Sequence, residues 1–240
     1  MSKDRQGYAR TQVYIGDRKA EPKHMFVRIA DTIAERAFAQ PRLLDVGGAS
    51  GAFAEYALLR FPGSAIRVVD FDPVLVAEAR KLVPGVAFEV GDANRLDTIA
   101  SQAHDAVTLT GTHSIFDDFR PSFSECIRVC AEGGRIIVTG IFNPYPVDAQ
   151  IHWRYAERFE DAWHPGYNLF SHQSVSAFLK TQSRVAGFEF RPFRLPFDLA
   201  PQQDPIRSWT ELQPDGQREF RNGIMQLNFE MLVILSLIHI

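Results

Sequence analysis

This chain predicts an α/β fold built on a mostly parallel central sheet, and three observations predict it. Apolar runs of strand length alternate with helical stretches between residues 22 and 142, the pattern of parallel strands joined by crossover helices. The first apolar run, Leu43-Leu44-Asp45-Val46, ends at an acid and enters a glycine-rich turn, Gly47-Gly48-Ala49-Ser50-Gly51, ahead of a helical pattern. Nineteen residues after Gly51, a second apolar run ends at another acid, Asp70.

Residues 1 to 20 are polar and aperiodic and read as an arm. From Pro22 to Phe38, Phe26, Ile29, Ile33 and Ala37 recur at three- and four-residue spacing, which makes an amphipathic helix. Arg42 to Val46 is strand one, the helix from Ser50 stops near Pro62-Gly63, and Ala65 to Asp70 is strand two. Asp72 and Pro73 open the next helix as N-cap and first helical residue, and Pro84-Gly85 follows its end. Val86 to Val90 is strand three and Ala106 to Thr110 strand four. A helix from Asp118 to Cys130 stops at Gly133-Gly134, and Arg135 to Phe142 is strand five. Ser171 starts a helical pattern with Val175, Phe178, Leu179 and Val185, closed by Gly187. Phe188 to Leu195 is a strand interrupted by Pro192, which a sheet tolerates chiefly at its edge. Phe229 to Leu235 is uniformly apolar, as a strand flanked on both sides requires. The terminal Leu237-Ile238-His239-Ile240 is apolar too, either buried or foreign to the native chain.

At 240 residues, the chain suits one domain with a sizeable core. Its formal net charge of -3 argues against nucleic acid as partner, because polyanion binding needs an excess of Lys and Arg on one face. Cys126 and Cys130 lie four apart in a predicted helix, share a face without disulfide geometry, and read as reduced packing residues. No apolar stretch reaches the ~18 residues of a membrane span and the amino terminus lacks a signal pattern, so a cytoplasmic protein with no membrane partner is expected. A homodimer stays open.

The spacing Asp45-x-Gly47-x-Ala49-x-Gly51 resembles the D-x-G-x-G-x-G loop of class I S-adenosylmethionine-dependent methyltransferases rather than the G-x-G-x-x-G of dehydrogenases. Val69-Asp70-Phe71-Asp72-Pro73 resembles that family's second motif and Phe88-Glu89-Val90-Gly91-Asp92-Ala93 its third. His104 to Thr110 resembles its fourth strand, and Arg128 to Val138 the helix, turn and strand that end its core. Ala49 stands where the family has its middle glycine, with Gly48 beside it keeping the turn pliable. The resemblance spans roughly residues 40 to 142. It implies a doubly wound seven-stranded sheet of order 3-2-1-4-5-7-6, strand 7 antiparallel, with helices on both faces. It further implies a single domain over 1-240, an arm and cap helix in 1-40, and substrate-lid segments at 143-172 and 198-222. The helix of 22-38 then either covers the cofactor or packs in the core.

The same resemblance implies S-adenosylmethionine as cofactor and S-adenosylhomocysteine as its product. Gly47, Gly48, Ala49 and Gly51 would hold the methionine part. Asp45 either orients the loop or is a satisfied core carboxylate. Asp70 would take the ribose hydroxyls and Phe71 one face of the adenine. Asp92 would take the adenine amino group, unless it is a turn residue after Gly91. Ala93 and Thr110 complete the cofactor set on the same rim.

His113, after strand four, is either a base working near neutral pH or a loop histidine lining the pocket. Tyr145, His152, Arg154, His164 and Tyr167 suit contacts to a small, partly apolar acceptor. Trp153 and Trp163 suit either that pocket or a helix packed on the sheet. Asn143-Pro144-Tyr145-Pro146 follows strand five, whereas the Asn-Pro-Pro-Tyr motif of amino methyltransferases follows strand four, so it reads as a proline-stiffened turn. The histidines do not pair at ligand spacing and Asp117-Asp118 reads as helix-start carboxylates, so no metal is expected. The expected function is methyl transfer to an oxygen or nitrogen of a small molecule. The alternative is a non-catalytic S-adenosylmethionine-binding sensor or partner subunit, and the glycine spacing disfavours a nicotinamide dehydrogenase.

Overall fold

The computed structural model describes residues 21-201, 203, 207-222, 226-227 and 229-236. The expected arm over residues 1 to 20 and the apolar segment 237 to 240 lie outside the described residues. The chain opens with α1 (His24–Ala34), β1 (Leu43–Val46), α2 (Ala52–Arg60), β2 (Ile66–Asp70), α3 (Pro73–Leu82) and β3 (Ala87–Val90). After β4 (His104–Thr110) come a short 3-10 turn (His113–Ile115), α4 (Arg120–Val129) and β5 (Cys130–Asn143). Three two-residue strands follow, β6 (His152–Trp153), β7 (His164–Pro165) and β8 (Phe170–Ser171), and then α5 (His172–Lys180) and β9 (Val185–Pro192). The described chain ends with β10 (Trp209–Leu212), β11 (Arg218–Arg221), β12 (Gln226–Leu227) and β13 (Phe229–Ser236).

The main sheet runs β3-β2-β1-β4-β5-β13-β9, the expected order, and short β8 adds an eighth strand beside the end of β5. β1 to β5 are parallel, and β13 runs antiparallel between β5 and β9. The physical cause is legible in the residues. Met231, Leu232, Val233 and Ile234 of β13 are all buried, so both faces of that strand need cover. Among the described residues, β9 pairs only with β13, and it ends at Pro192, whose missing N–H costs nothing at an edge. One face of the sheet is covered by α1, α2 and α3 around Leu43, Val68, Ala106 and Val233, the other by α4 and α5 around Leu44, Val107, Phe123 and Leu232. A third, smaller apolar cluster sits at the end of β5, where Ile141 meets Phe193, Leu195 and Phe220.

α1 packs in the core: Ile29, Ala30 and Ile33 are buried, and the Thr32 hydroxyl lies 3.2 Å from Met231 Sδ. It stops at Ala34, short of the expected Phe38, and Ala37 lies in the left-handed region at φ 51°. α3 is capped as its sequence requires, with Asp72 Oδ1 accepting from the N–H groups of Val74 (2.8 Å) and Leu75 (3.4 Å) and Pro73 leading the helix. Asp72→Ala is expected to cost about 1 kcal/mol of stability, seen as a lower urea midpoint with an unchanged slope.

Three expectations are corrected. β5 begins at Cys130, because Cys130 already pairs with His104 and the register then shifts so that Arg135 pairs with Ala106. Cys126 is thus helical while Cys130 belongs to the strand; both are free and buried. Val185 and Gly187 belong to β9, since α5 stops at Lys180; β9 ends at Pro192, Phe193 N–H still donates to the Phe229 carbonyl at 2.9 Å, and the Phe193 and Leu195 side chains join the third cluster. Trp153 and Trp163 are not on a helix. The stretch from 151 to 168 is an antiparallel hairpin in which Trp153 pairs with His164, and Trp163 is 57% exposed. Residues 198 to 222 hold the antiparallel pair β10 and β11. Among the described residues, no helix is long and apolar enough to cross a membrane.

Candidate active site

The glycine turn leaves β1 at the carboxyl rim of the sheet. Gly47 (φ 74°) and Gly51 (φ 76°) both occupy the left-handed region, which side chains disfavour. Space forbids a side chain as well: a Cβ on Gly47 would run into the Thr112 hydroxyl, and one on Gly51 would lie 2.6 Å from Phe88 Cζ. Ala49 also takes a positive φ, 48°, and its N–H donates to Asp70 Oδ2 at 2.8 Å. The methyl group that replaces the usual glycine is therefore carried in a left-handed residue pinned by that bond. Gly48 abuts Val68 and Asp45, and Gly51 N–H donates to the Gly48 carbonyl at 2.9 Å, closing the turn.

Two carboxylates stand under this turn. Asp45 is buried at the end of β1, accepts from the Thr108 hydroxyl at 2.7 Å, and is pushed up to about 7, chiefly by burial, against the Thr108 hydrogen bond and with the help of the Asp70 charge. It is a hydrogen-bonded core carboxylate packed closely under Gly48, where a Cβ would lie 2.5 Å from its Oδ2. Asp70, only 5% exposed, accepts from Ala49 N–H with one oxygen and from Asp72 N–H (3.0 Å) with the other. Burial raises its pKa and those N–H groups oppose the rise.

A narrow cleft, partly open to solvent, lies beyond these strand ends. Of the expected cofactor residues, Gly47, Asp70, Phe71, Asp92 and Ala93 line it. Gly48, Ala49 and Gly51 shape the turn beside it rather than its wall. Asp92 also performs the turn role weighed against ligand binding, its Oδ1 accepting from the backbone (2.9 Å) and side-chain (3.1 Å) N–H groups of Asn94. Thr110 ends β4 outside the cleft wall, and its buried hydroxyl has no hydrogen-bond partner among the described residues. Five wall residues were not assigned to the site from sequence: Val69 and Gly91, which lie within the second and third motifs, and Thr112, Ile115 and Phe116. The signal for the last three was position alone, directly after the strand-four acid-to-threonine run.

The expectation for His113 is corrected. Its ring is fully buried on the α4 side, stacked on Phe142 with centroids 4.6 Å apart, and fills the space that a Cβ on Gly140 would need. Nε2 lies 3.2 Å from Ser114 Oγ and 3.4 Å from the Ile141 carbonyl oxygen. Burial drives its pKa down to about 4, partly offset by the Ile141 carbonyl, so the ring is neutral at pH 7 and does not face the cleft.

The remaining acceptor candidates do not form one constellation. His152, Arg154 and His164 share the β6–β7 hairpin. The Arg154 guanidinium is committed within it, donating to the Phe159 carbonyl at 2.6 Å and lying 4.2 Å and 4.7 Å from the ring centres of Phe159 and Trp163. Tyr145, 73% exposed, sits in the turn after β5, where its N–H donates to Asn143 Oδ1 at 3.1 Å; this is the proline-stiffened turn that the sequence suggested. Tyr167 is partly buried between the α4 side of the core and the cluster at the end of β5.

An open doubly wound sheet, with a left-handed glycine turn after its first strand and acids after its second and third, defines a nucleotide-cofactor-binding α/β protein. Comparison with known proteins sharpens this. Residues 44–138 match the methyltransferase domain family. A demethylmenaquinone methyltransferase of Thermus thermophilus is 30% identical over 190 residues, spanning 72% of this chain and 84% of the relative. The Bacillus subtilis YcgJ protein shares the fold with a TM-score of 0.60 at 18% identity, covering 90% of this chain and 99% of that one. So does CalS10, an amino pentose methyltransferase from Micromonospora echinaspora solved with S-adenosylmethionine bound, with a TM-score of 0.55 at 18% identity, covering 96% and 95%. The chain belongs to the class I S-adenosylmethionine-dependent methyltransferases, and S-adenosylmethionine is its cofactor.

The residues present fit that cofactor. A nucleoside presents hydroxyl and amino donors, and the cleft answers with two carboxylates. An ionised carboxylate has about four acceptor positions, so Asp70 keeps capacity beyond the backbone groups it already holds.

Proposed function

We propose that this methyltransferase delivers its methyl group to an oxygen or nitrogen of a small organic acceptor, held between the carboxyl rim of β4 and β5 and a lid formed by residues 143-172 and 198-222. The observation that carries this reading is the apolar wall at the end of β5. Ile141, Phe193, Leu195 and Phe220 cluster there with Tyr167 and Leu169 of the first lid segment packed against them. Such a wall suits a ring-bearing or otherwise partly apolar guest. The name of the Thermus relative specifies a quinone-type organic acceptor, which supports an organic molecule rather than a macromolecule as substrate and does not bear on the oxygen or nitrogen assignment.

When bound, S-adenosylmethionine supplies an activated methyl group on a sulfonium. In this proposal Asp70 holds the ribose, Asp92 and Ala93 receive the adenine with Phe71 against it, and the 47-51 turn takes the methionine end over Asp45, with Thr110 alongside. The protein's own contribution to an in-line displacement is then chiefly positioning and exclusion of water by the lid. His113 is assigned to packing: a neutral ring walled in by Phe142 and Gly140 exchanges no proton with an acceptor. Tyr145, His152, Arg154, His164 and Tyr167 are assigned to the lid.

The test is incubation of purified protein with S-adenosylmethionine and a panel of phenols, amines, carboxylic acids and quinols, following S-adenosylhomocysteine release and locating the methyl group by mass spectrometry. Transfer to oxygen or nitrogen of a small molecule is the expected result. Transfer only to carbon, or only to a macromolecule, overturns the proposal.

A further inference from the structure

We propose that Asn168 is a positioning residue that couples the wall of the cofactor cleft to the 149-169 segment, so that filling the cleft orders the acceptor side. The proposal rests on the lid reading above. Asn168 is fully buried, and its backbone N–H and both ends of its carboxamide are hydrogen-bonded at that junction. Its backbone N–H donates to the Ser114 carbonyl at 2.7 Å, and its Nδ2 donates to the Phe116 carbonyl at 2.8 Å. Its Oδ1 accepts from Ile151 N–H at 3.1 Å. Only one orientation of the carboxamide satisfies a carbonyl on one side and an N–H on the other, so the chemistry fixes which end faces which element.

The two sides joined in this way are different parts of the machine. Ser114, Ile115 and Phe116 are consecutive, and Ile115 and Phe116 line the cleft together with Asp92. Ile151 belongs to the segment after β5, and there Asn168 substitutes for a ladder bond. Ala149 and Leu169 exchange two 2.9 Å backbone bonds on one side of it, and Gly166 N–H donates to the Ile151 carbonyl at 2.7 Å on the other. Without the carboxamide, the Ile151 N–H and the Phe116 carbonyl would both be left without this bond, and the segment would keep its own ladder yet lose its side-chain tie to the cleft wall. A ligand pressing on Ile115 and Phe116 thus reaches the lid through the buried Asn168 carboxamide, alongside the backbone bond from Asn168 N–H to the Ser114 carbonyl, which is the physical content of coupling between two sites.

Hydrogen exchange with and without saturating S-adenosylhomocysteine tests this on the full chain. In the wild type, the ligand is expected to slow exchange of amides in 149-169 by about tenfold. Asn168→Asp keeps the acceptor for Ile151 but cannot donate to Phe116. It is expected to bind S-adenosylhomocysteine within about threefold of wild type while losing the ligand-dependent protection of 149-169. Ile151→Pro removes the N–H on the other side and is expected to uncouple in the same way, which keeps the test alive where one variant folds poorly. A residue serving stability alone would lower the melting temperature and leave the ligand-dependent change intact; that result overturns the proposal. So does wild-type binding with no protection of 149-169. Absence of S-adenosylhomocysteine binding to the wild type is a different failure, since it overturns the cofactor-site assignment beneath the proposal.

Discussion

Asp70→Ala is expected to weaken S-adenosylhomocysteine binding by about a hundredfold, the equivalent of about 3 kcal/mol. The carboxylate does two things at once in the proposed site. It offers acceptor capacity at the rim of the cleft, and it gathers the N–H groups of Ala49 and Asp72 at 2.8 and 3.0 Å. Hydrogen bonds to a charged partner contribute about 1.5–3 kcal/mol each, so loss of the ligand's bonds and slackening of the turn add in the same direction. Asp70→Asn separates the two effects. The amide retains one oxygen for one backbone N–H but turns an NH2 toward the other, so the turn is disturbed while the volume is conserved. Isothermal titration calorimetry on both variants, with folding checked by circular dichroism, reads the result. Binding of Asp70→Ala within a few-fold of wild type would remove Asp70 from the ribose site.

His113 is expected to withdraw about 3 kcal/mol of stability between pH 7 and pH 4, while Asp45, raised to about 7 by burial, returns stability over the same window as it takes up a proton, so the His113 share is read from the difference between wild type and variant. The sign for His113 follows from the direction of its shift. Burial lowers the folded-state value from 6.5 to about 4, so between those values the unfolded chain binds a proton that the native chain refuses. The His113 contribution is therefore fully present above about pH 6.5 and is lost as pH falls toward about 4. His104 contributes in the same window, its pKa lowered to about 4 by burial and by the charges of Arg67 and Arg42. Urea midpoints measured at pH 7 and pH 4.5 for wild type and His113→Leu test this. The variant should be less stable at neutral pH, because it loses the stack on Phe142 and the contact of Nε2 with Ser114, but it should lose less on acidification. An equal acid loss in both proteins would take His113 out of the account. The pH profile of turnover should be unchanged in the variant, since a group sealed from the cleft does not titrate with the reaction.

Much of the fold and half of the site were legible in the residue order, and particular residues show why. The β1 apolar run, the glycine turn and Asp70 follow one another along the chain, and each is dictated by local rules: an unbroken apolar stretch of strand length, positive φ, an acid at a strand end. The cap at Asp72 and Pro73 is equally local. The Pro192 edge and the uniformly apolar β13 carry their sheet positions in their composition. By contrast, the 151-168 stretch has aromatic residues at spacings that fit either period, and what decides for a hairpin is pairing of Trp153 with His164 and of Ala149 with Leu169. The start of β5 at Cys130 depends on a register shift against β4, which no helical or strand period announces.

The sequence by itself determined the class of protein and the strand order, and it pointed to the glycine turn and the acids on the rim. Only the tertiary structure decided that His113 is a core ring rather than a base, that Thr112, Ile115 and Phe116 form a wall of the cleft, and that Asn168 ties that wall to the segment after β5. The physical reason is range. Backbone conformation and hydrophobic period are set by near neighbours, whereas the side of a loop on which a side chain falls is set by what fills the space there. For His113 that space is left by Gly140 and Phe142, which reach it only once β5 has paired with β4.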